Sequence, residues 1–434
     1  MMLINAAGIA LYLASCIYIL KKDKRLFVFF AFLAFSQIWA LISCFYNDLG
    51  IYNIELFRYT EPTYATFRLA LLYVVFNLGF LAAMRIFQNY YPARVDYQIT
   101  RETLKLGGIK IVVYGCVGLV IVYIAYNFMT GGIPVFSGFG RQIYFEEAGF
   151  PDNILLIYGF LFAFILGYYR RRKGWNSISG ILFLIFMMYF VLTGNKFSAL
   201  ISLATYYYAP IFAKQYQQNS KMRILSTKNV IIVIILIMLT IIYAFTIYMN
   251  ETDDSEFAVL YLKNRALAFQ GEMWWAADYE YFNGDLYDEK HWHTELEAIL
   301  SPQKIPVTDV GMQYLMIKIL GPANAYPIIE KGYLYTMTYP AILIAMFPYS
   351  ISIFIQFLAG FVFFIVLYYL YYSIIYSHLF RAIIALTILL PLMVVLVTGN
   401  LTAFFTLGIP IKALILAILE IGGAKSQAAK SNLY

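Results

Sequence analysis

The sequence predicts an all-α, polytopic transmembrane helix bundle with about 11 spans, a re-entrant or interfacial segment and one large external helical loop. Three observations lead to this prediction: the composition, the long apolar runs and the distribution of charge. The chain of 434 residues is 62% hydrophobic and only 13% charged, and its mean hydropathy is +0.72. Soluble domains average about 45–50% apolar and about 25% charged residues. The composition therefore excludes an ordinary soluble enzyme.

Apolar runs long enough to cross the hydrocarbon core, about 30 Å thick, occur at 3–20, 26–46, 68–88, 109–128, 153–169, 176–193, 197–213, 229–249, 350–373, 382–398 and 401–421. The first run has no basic residue before it and a basic cluster, 21–25, after it. A secretory signal peptide has the opposite arrangement, with its positive charge in front of the apolar region. We therefore expect the first run to be a retained anchor with its N-terminus outside.

Positive charge lies on alternate sides of these runs. The segments predicted to be cytoplasmic are all net positive, namely 21–25, 85–110, 170–173, 214–228, 377–381 and 422–434. The predicted external segments 47–67, 129–152 and 250–333 are net negative, and the short external segment 194–196 is the exception with a charge of +1. This bias follows the positive-inside rule. The net charge of +7 therefore indicates topology, with a cytoplasmic C-terminus, and we expect no nucleic-acid partner.

The external segment 250–333 holds 14 acidic and 6 basic residues. Its apolar spacing predicts helices at 257–270 and 310–320. The next segment, 334–349, is apolar but short, and Pro340 and Pro348 interrupt it. We interpret it as a re-entrant or interfacial helix on the outer side, which must be buried in protein. The chain is thus expected to be a single integral membrane domain, 1–434, in which 250–349 forms a cap.

No phosphate-binding P-loop, dinucleotide fingerprint, zinc spacing or nucleophile elbow occurs in the sequence. ATP-driven transport and familiar soluble catalytic scaffolds therefore have no support. We expect neither a cofactor nor a metal ion.

Cations at the predicted outer ends of spans break the acidic pattern of the external segments. They are Arg68, Arg141, Lys196 and Arg265. Ionisable groups near hydrocarbon are costly and often mark a site, so one hypothesis is that these four converge on an anionic head group, since arginine donors suit phosphate. The alternative is that each extends to the membrane surface or pairs with an acidic neighbour such as Glu147 or Glu272.

Histidines and aromatic residues give further candidates. His291 and His293, with Glu295 or Glu297, have the residue types of a metal site or an oriented general base. Both histidines point to one side only if the segment is extended, and otherwise the pair is a solvated surface feature. Most of the 40 tyrosines fit interfacial belts.

The sequence resembles the Wzy-type polysaccharide repeat-unit polymerases, which include the O-antigen and enterobacterial common antigen polymerases. The resemblance rests on five outer motifs: GGIPVFSGFGR (131–141), TGNKFSALI (193–201), KNRALAFQGE (263–272), GMQYLMIKILGP (311–322) and EKGYLYTMTYP (330–340). Arg141 and Arg265 match the outer arginines of that family. Lys196 stands where many members carry arginine, and lysine cannot form the bidentate fork.

The resemblance implies glycosyl transfer on the periplasmic face of a bacterial inner membrane. A polyprenyl-diphosphate-linked oligosaccharide would be the donor and a second lipid-linked repeat unit the acceptor, with a chain-length regulator as a further possible partner. Arg141 and Arg265 would then be catalytic, Glu272 is our first choice for the base, and His293 is the second. The expected substrate-binding residues are Arg68, Lys196, Gln270, Trp274, Trp275 and Tyr333.

Three other functions remain open at this stage. A lipid-linked oligosaccharide flippase usually has two similar halves around a midplane cationic cavity, and the sequence shows no internal repeat. A glycan ligase or acyltransferase of the same pathway shares the polytopic form and the large outer loop. A structural or sensory membrane protein would not depend on the outer arginines.

Overall fold

The computed structural model describes residues 1–90, 107–133, 150–170, 178–193, 197–218, 255–284, 286–301, 304–330, 335, 339–376, 378–399, 401 and 408–418. In chain order the helices are α1 (Met2–Lys22), α2 (Lys24–Asn47), α3 (Ala65–Tyr90), α4 (Gly107–Gly131), α5 (Phe150–Tyr169), α6 (Ile178–Leu192), α7 (Phe197–Gln218), α8 (Ser255–Leu267), α9 (Phe269–Asn283), α10 (His291–Leu300), α11 (Gly311–Leu320), α12 (Pro322–Glu330), α13 (Pro340–Met346), α14 (Tyr349–Ile375), α15 (Leu379–Thr398) and α16 (Gly408–Ile418). A 3₁₀ turn covers Val307–Asp309. Strands β1 (Tyr52–Asn53) and β2 (Arg58–Tyr59) pair antiparallel, and we call them with their turn the hairpin 52–59.

Five of the described helices are long and apolar enough to cross a membrane. They are α1, residues Phe29–Asn47 of α2, residues Ala65–Phe87 of α3, α14 and α15. The prediction of an all-α membrane protein is therefore confirmed. The one exception to helical structure among the described residues is the small hairpin 52–59, which the apolar periodicity did not predict. The count of about 11 spans stays a prediction, and the apolar run 229–249 lies outside the described residues.

The chain forms two compact units. The first contains residues Met1–Pro92, Glu251–Leu370 and Phe380–Tyr434, and the second contains Ala93–Asn250 and Tyr371–Leu379. In the second unit, α4 to α7 enclose an aromatic core in which the rings of Phe183 and Tyr207 stack 3.8 Å apart. The first unit holds the described candidate residues.

Several chain segments meet at one end of the first unit, which we call the loop end. The side-chain amide of Asn5 donates to Asp48 Oδ2 at 2.9 Å and to the carbonyl of Thr63 at 3.0 Å. The hydroxyl of Tyr349 donates to the carbonyl of Arg68 at 3.1 Å. The starts of α1, α3 and α14 and the end of α2 therefore lie together. Segment 47–67, which the charge pattern predicts to be external, belongs to this end.

Residues within the predicted re-entrant segment form a short helix at the loop end. All seven residues of α13 are buried, and at about 1.5 Å per residue the helix is far too short to cross a bilayer. The amide of Asp288, from the external segment, donates to the carbonyl of Ala345 at 3.2 Å. This helix is therefore surrounded by protein, as backbone at membrane depth requires.

Two glycines let α3 and α14 touch backbone to backbone. A Cβ at Gly79 would lie 1.9 Å from the carbonyl oxygen of Phe357, and one at Gly360 would lie 1.9 Å from that of Phe76. Small residues allow this kind of approach between helices in membranes, where association depends on packing.

We predict that Gly360→Ala destabilises the protein by about 1–3 kcal/mol, the usual cost of overpacking, because the carbonyl of Phe76 cannot move without shifting α3. The measurement is the thermal unfolding midpoint in detergent, followed by tryptophan fluorescence. Gly115→Ala in α4 is the matched control, since a Cβ there meets no atom within 4 Å. Equal midpoints for the two variants would contradict the close approach.

Candidate functional site

Helix α9, from the segment predicted to be external, is the centre of the loop end. It is almost wholly buried from Phe269 to Asp278, although it lies in the acidic stretch that the sequence predicts to form a cap. Residues three, four or seven apart share a helix face. Two such faces of α9 contact two different parts of the chain.

The first face of α9 packs on the loop ends of α2 and α3. A Cβ at Gly271 would lie 2.4 Å from the backbone nitrogen of Cys44, so α9 crosses α2 in direct backbone contact. The indole N–H of Trp274 donates to the carbonyl of Ala65 at 2.8 Å. One turn further, Arg68 binds Asp278 through both Nε, at 2.7 Å, and its terminal nitrogen.

The junction between α8 and α9 is tied to α2 by two side chains. The indole N–H of Trp39 donates to the carbonyl of Ala266 at 2.7 Å, and the amide of Asn47 donates to that of Ala268 at 3.0 Å. The helix predicted over 257–270 is confirmed as far as Leu267, where α8 ends. A turn at Ala268 separates it from α9, which begins at Phe269, and Trp39 and Asn47 bind carbonyls at this turn.

The second face of α9 carries Trp275 and Tyr279 and contacts the hairpin 52–59. The guanidinium of Arg58 lies over both rings, 5.5 Å from each centroid. It also pairs with Glu280 at 2.9 Å. The indole N–H of Trp275 donates to the carbonyl of Glu61, just after the hairpin, at 3.2 Å. The hairpin is thus held on α9 by a cation–π stack, an ion pair and a hydrogen bond.

Glu272 lies on this second face under the hairpin, and its side chain is fully buried. No described residue donates a well-formed hydrogen bond to either carboxyl oxygen. Burial raises the pKa of Glu272 well above its usual value, and the neighbouring carboxyl of Glu55 raises this pKa further. Asn53 and Arg265 act in the opposite direction, but they do not offset the burial. Burial therefore favours the protonated form of Glu272.

Tyr335 closes the site from the segment before α13. Its hydroxyl donates to the carbonyl of Glu55 at 2.6 Å. Burial and then the nearby Glu55 and Glu272 raise the pKa of this phenol far above its usual value. Tyr335 therefore remains a hydrogen-bond donor at every physiological pH.

Arg265 is half-buried at the end of α8 and lies close enough to Glu272 to favour its charged form. A terminal nitrogen of Arg265 donates to the hydroxyl of Tyr261 at 3.4 Å.

Gln270, on the first turn of α9, lines a cavity of about 10 Å³, room for about one water molecule. The other lining residues are Ser36, Gln37, Ala40, Tyr73, Leu396 and Val397.

Three predicted substrate-binding residues have structural partners instead. Trp274 and Trp275 are fully buried, so neither ring presents a face for a sugar to stack on, and both indoles are hydrogen-bonded to backbone. The guanidinium of Arg68 is bound to Asp278 and lies 4.2 Å from the ring centroid of Phe282. In this structure the three side chains anchor α9.

The predicted histidine pair lies on helix α10, not on an extended segment, so the two side chains do not point the same way. His291 is buried, stacks on Tyr314 at 3.6 Å and places Nε2 3.3 Å from Glu295. His293 is exposed and lies against the ring of Trp292. Among the described residues no group of three or more His, Cys, Asp and Glu side chains is arranged to hold a metal ion.

Arg141, Lys196 and Tyr333 lie outside the described residues, and the convergence of the four cations stays a prediction. The structure adds Glu55, Arg58 and Asp278 to the candidate residues. Sequence reasoning passed over Arg58 and Asp278 because they fit an ordinary solvated loop. One sequence feature could have pointed to these residues: Glu55 and Arg58 flank a short apolar stretch in the otherwise polar connection between α2 and α3.

Comparison with known proteins gives one partial match. Residues 306–411 match a family described as "Family of unknown function (DUF6418)". This match covers about a quarter of the chain and excludes the hairpin 52–59, α8 and α9. No curated protein and no solved structure matches the chain.

We predict that Asp278→Asn destabilises the protein by about 3–5 kcal/mol, because it leaves the largely buried guanidinium of Arg68 without its counter-charge. The measurement is the thermal unfolding midpoint of purified protein in detergent. Glu280→Gln is the matched control: it breaks the more exposed pair with Arg58 and should cost about 1 kcal/mol or less. An Asp278→Asn midpoint no lower than that of the control would show that the pair does not anchor α9.

Proposed function

We propose that the protein is a membrane glycosyltransferase of the Wzy type. It joins polyprenyl-diphosphate-linked oligosaccharide repeat units into a surface polysaccharide, an O-antigen, capsule or similar polymer, on the periplasmic face of a bacterial inner membrane. The support is the sequence resemblance, the apolar spans and the composition of the buried site at the loop end. The match to a family of unknown function neither favours nor opposes this proposal.

One observation carries the proposal furthest: Arg265 lies close enough to the buried carboxyl of Glu272 at the loop end to favour its charged form. The lipid-linked donor already carries its leaving group, so the reaction needs no nucleotide. It needs a cation where negative charge develops on the diphosphate and a base for the acceptor hydroxyl. Arg265 and Glu272 supply these two groups.

An oxygen of the acceptor sugar forms a bond to the anomeric carbon of the donor, and the bond from that carbon to the diphosphate oxygen breaks. Glu272, once ionised, takes the proton of the acceptor hydroxyl, and the released polyprenyl diphosphate retains the electron pair beside Arg265. Burial makes Glu272 a stronger base than a solvated carboxylate. Because the hairpin 52–59 covers Glu272, substrate enters when the hairpin lifts from α9.

We predict that deletion of the gene leaves surface glycan of a single repeat unit with no ladder on a gel. Without the protein, repeat units still cross the membrane, but they are not joined to one another. Loss of all glycan would instead indicate a flippase. A ladder that persists on the lipid carrier would indicate a ligase.

We predict that Arg265→Ala and Glu272→Gln each lower polymer yield by at least about 100-fold at normal protein levels, the usual scale for removing a charge-stabilising group or a general base. The measurement is the ladder from complemented deletion cells, normalised to membrane protein. Lys263→Ala and Glu297→Gln are the matched controls, since both side chains are exposed on α8 and α10. If Arg265→Ala and Glu272→Gln both retained the normal ladder, the site would be wrongly assigned.

We predict that Glu272→Gln stabilises the protein relative to wild type, and increasingly so from pH 5 to pH 8. Burial raises the folded-state pKa of Glu272. The contribution of this group to the free energy of unfolding is therefore highest below the unfolded pKa of about 4.3 and falls as the pH rises toward the folded-state pKa. The glutamine side chain does not ionise, so Glu272→Gln removes this pH-dependent loss of stability. Thermal unfolding midpoints across the pH range test this, with Glu297→Gln expected to run parallel to wild type. A variant curve parallel to wild type for Glu272→Gln would contradict a raised pKa.

A further inference from the structure

We propose that Arg58 binds an anionic group of the substrate through one edge of its guanidinium, where Nε and Nη2 present two parallel N–H donors. The ligand is an oxyanion that offers two oxygens side by side. It is either a phosphate of the lipid-linked diphosphate or the carboxylate of an acidic sugar in the repeat unit. The assignment of this anion to a glycosyltransferase substrate rests on the proposed function.

The contacts of Arg58 leave this edge of the guanidinium open. Nη1 pairs with Glu280 at 2.9 Å, and the flat face lies over the rings of Trp275 and Tyr279. Nε and Nη2 are both buried, and no described residue accepts a hydrogen bond from either. Buried donors without an acceptor cost free energy, and they cost more on a charged group. An anion at this edge would satisfy both donors at once.

Arg68 shows what the same edge of a guanidinium binds elsewhere in this protein. Its Nε donates to Asp278 Oδ1 at 2.7 Å, and its Nη2 donates to Oδ2 of the same carboxylate. Two parallel N–H groups that meet two oxygens of one anion form the bidentate geometry of arginine with carboxylates and phosphates. In Arg58 these are the two nitrogens that lack an acceptor among the described residues. The ligand therefore belongs to the same chemical class.

The position of Arg58 is set by the fold. Arg58 lies on β2, opposite Asn53 of β1. The residue before it, Phe57, has a φ of 52°, a left-handed conformation that is strained for a residue with a side chain and persists only where the surroundings enforce it. A guanidinium held by its backbone, a ring stack and an ion pair has little freedom left to lose on binding. Such preorganisation favours affinity.

Arg58 covers the same face of α9 that carries the proposed base. Trp275 and Tyr279 follow Glu272 by three and seven residues, a spacing that places all three on one helix face. The side chain of Arg58 is 32% exposed, but Nε and Nη2 themselves are covered. The outward movement of the hairpin 52–59 that admits substrate to Glu272 also uncovers this edge. An anion bound there holds the substrate at the face of α9 where the base lies.

Calorimetric titration of the purified protein in detergent tests the anion site without lipid-linked substrate. The two probes are inorganic pyrophosphate, which stands for the diphosphate, and sodium glucuronate, which stands for the acidic sugar. We expect at least one probe to bind wild type, and the probe that binds more tightly identifies the source of the anion.

Arg58→Lys retains the positive charge but not the paired donors. We expect this variant to bind the probe at least about tenfold more weakly, the loss of one charge-assisted hydrogen bond. Lys304→Ala removes an exposed cation from the segment predicted to be external. It is the matched control and should bind the probe as wild type does.

A second variant keeps the test decisive if Arg58→Lys fails to fold. Glu280→Gln removes the carboxylate at Nη1 and leaves Nε and Nη2 in place, so the anion should bind about twofold more tightly or better. The proposal is overturned if neither probe binds wild type or if Arg58→Lys binds as tightly as wild type. It is also overturned if Glu280→Gln does not tighten binding.

Binding and polymer formation separate the two proposals. If Arg58→Lys loses affinity for the probe but wild type forms no polymer from lipid-linked repeat units, the anion site stands and the glycosyltransferase proposal fails. If wild type forms polymer but Arg58→Lys binds the probe as wild type does, the glycosyltransferase proposal stands and the anion site fails.

Discussion

The ion pair between Arg68 and Asp278 joins α9 to α3, a helix long and apolar enough to span a membrane, across 210 residues of sequence. Asp278 is fully buried, and a buried carboxylate without a partner costs several kcal/mol. Helix α9 therefore packs at the loop end only with Arg68 in place. The indole of Trp274 and the backbone contact at Gly271 fix the same face one and two turns earlier. Together these contacts fix the position of α9 relative to α2 and α3 and its rotation about its own axis.

The rotation of α9 determines what the site contains. Once Gly271, Trp274 and Asp278 face the spans, helical periodicity turns Glu272 and Trp275 toward the hairpin 52–59. Glu272 is then fully buried, and its pKa rises because the burial outweighs the opposing effects of Asn53 and Arg265. A buried carboxyl group with a strongly raised pKa is a common sign of function. The anchoring face explains why this one is tolerated.

The sequence predicted a membrane protein and long helices such as α1 and α14. The apolar runs that predict these helices, 3–20 and 350–373, depend only on local composition. Helix α11 was predicted at 310–320 and found at Gly311–Leu320, since its amphipathic period is also local. Trp274 and Trp275 were predicted to bind substrate because they lie near Arg265 in a segment predicted to be external, and nothing local in the sequence indicates their burial. Their burial depends on α2, α3 and the hairpin 52–59, which lie about 200 residues away in the sequence. The break at Ala268 has the same origin, in the side chains of Trp39 and Asn47.

We propose that Arg265 and Glu272 perform glycosyl transfer between lipid-linked substrates. The most direct measurement uses purified protein in liposomes, supplied only with polyprenyl-diphosphate-linked oligosaccharide repeat units. We expect polymers of increasing length and release of one polyprenyl diphosphate for each bond formed, without added nucleotide. Repeat units that remain monomeric with wild-type protein, or polymer formed equally well by Glu272→Gln, would contradict the claim.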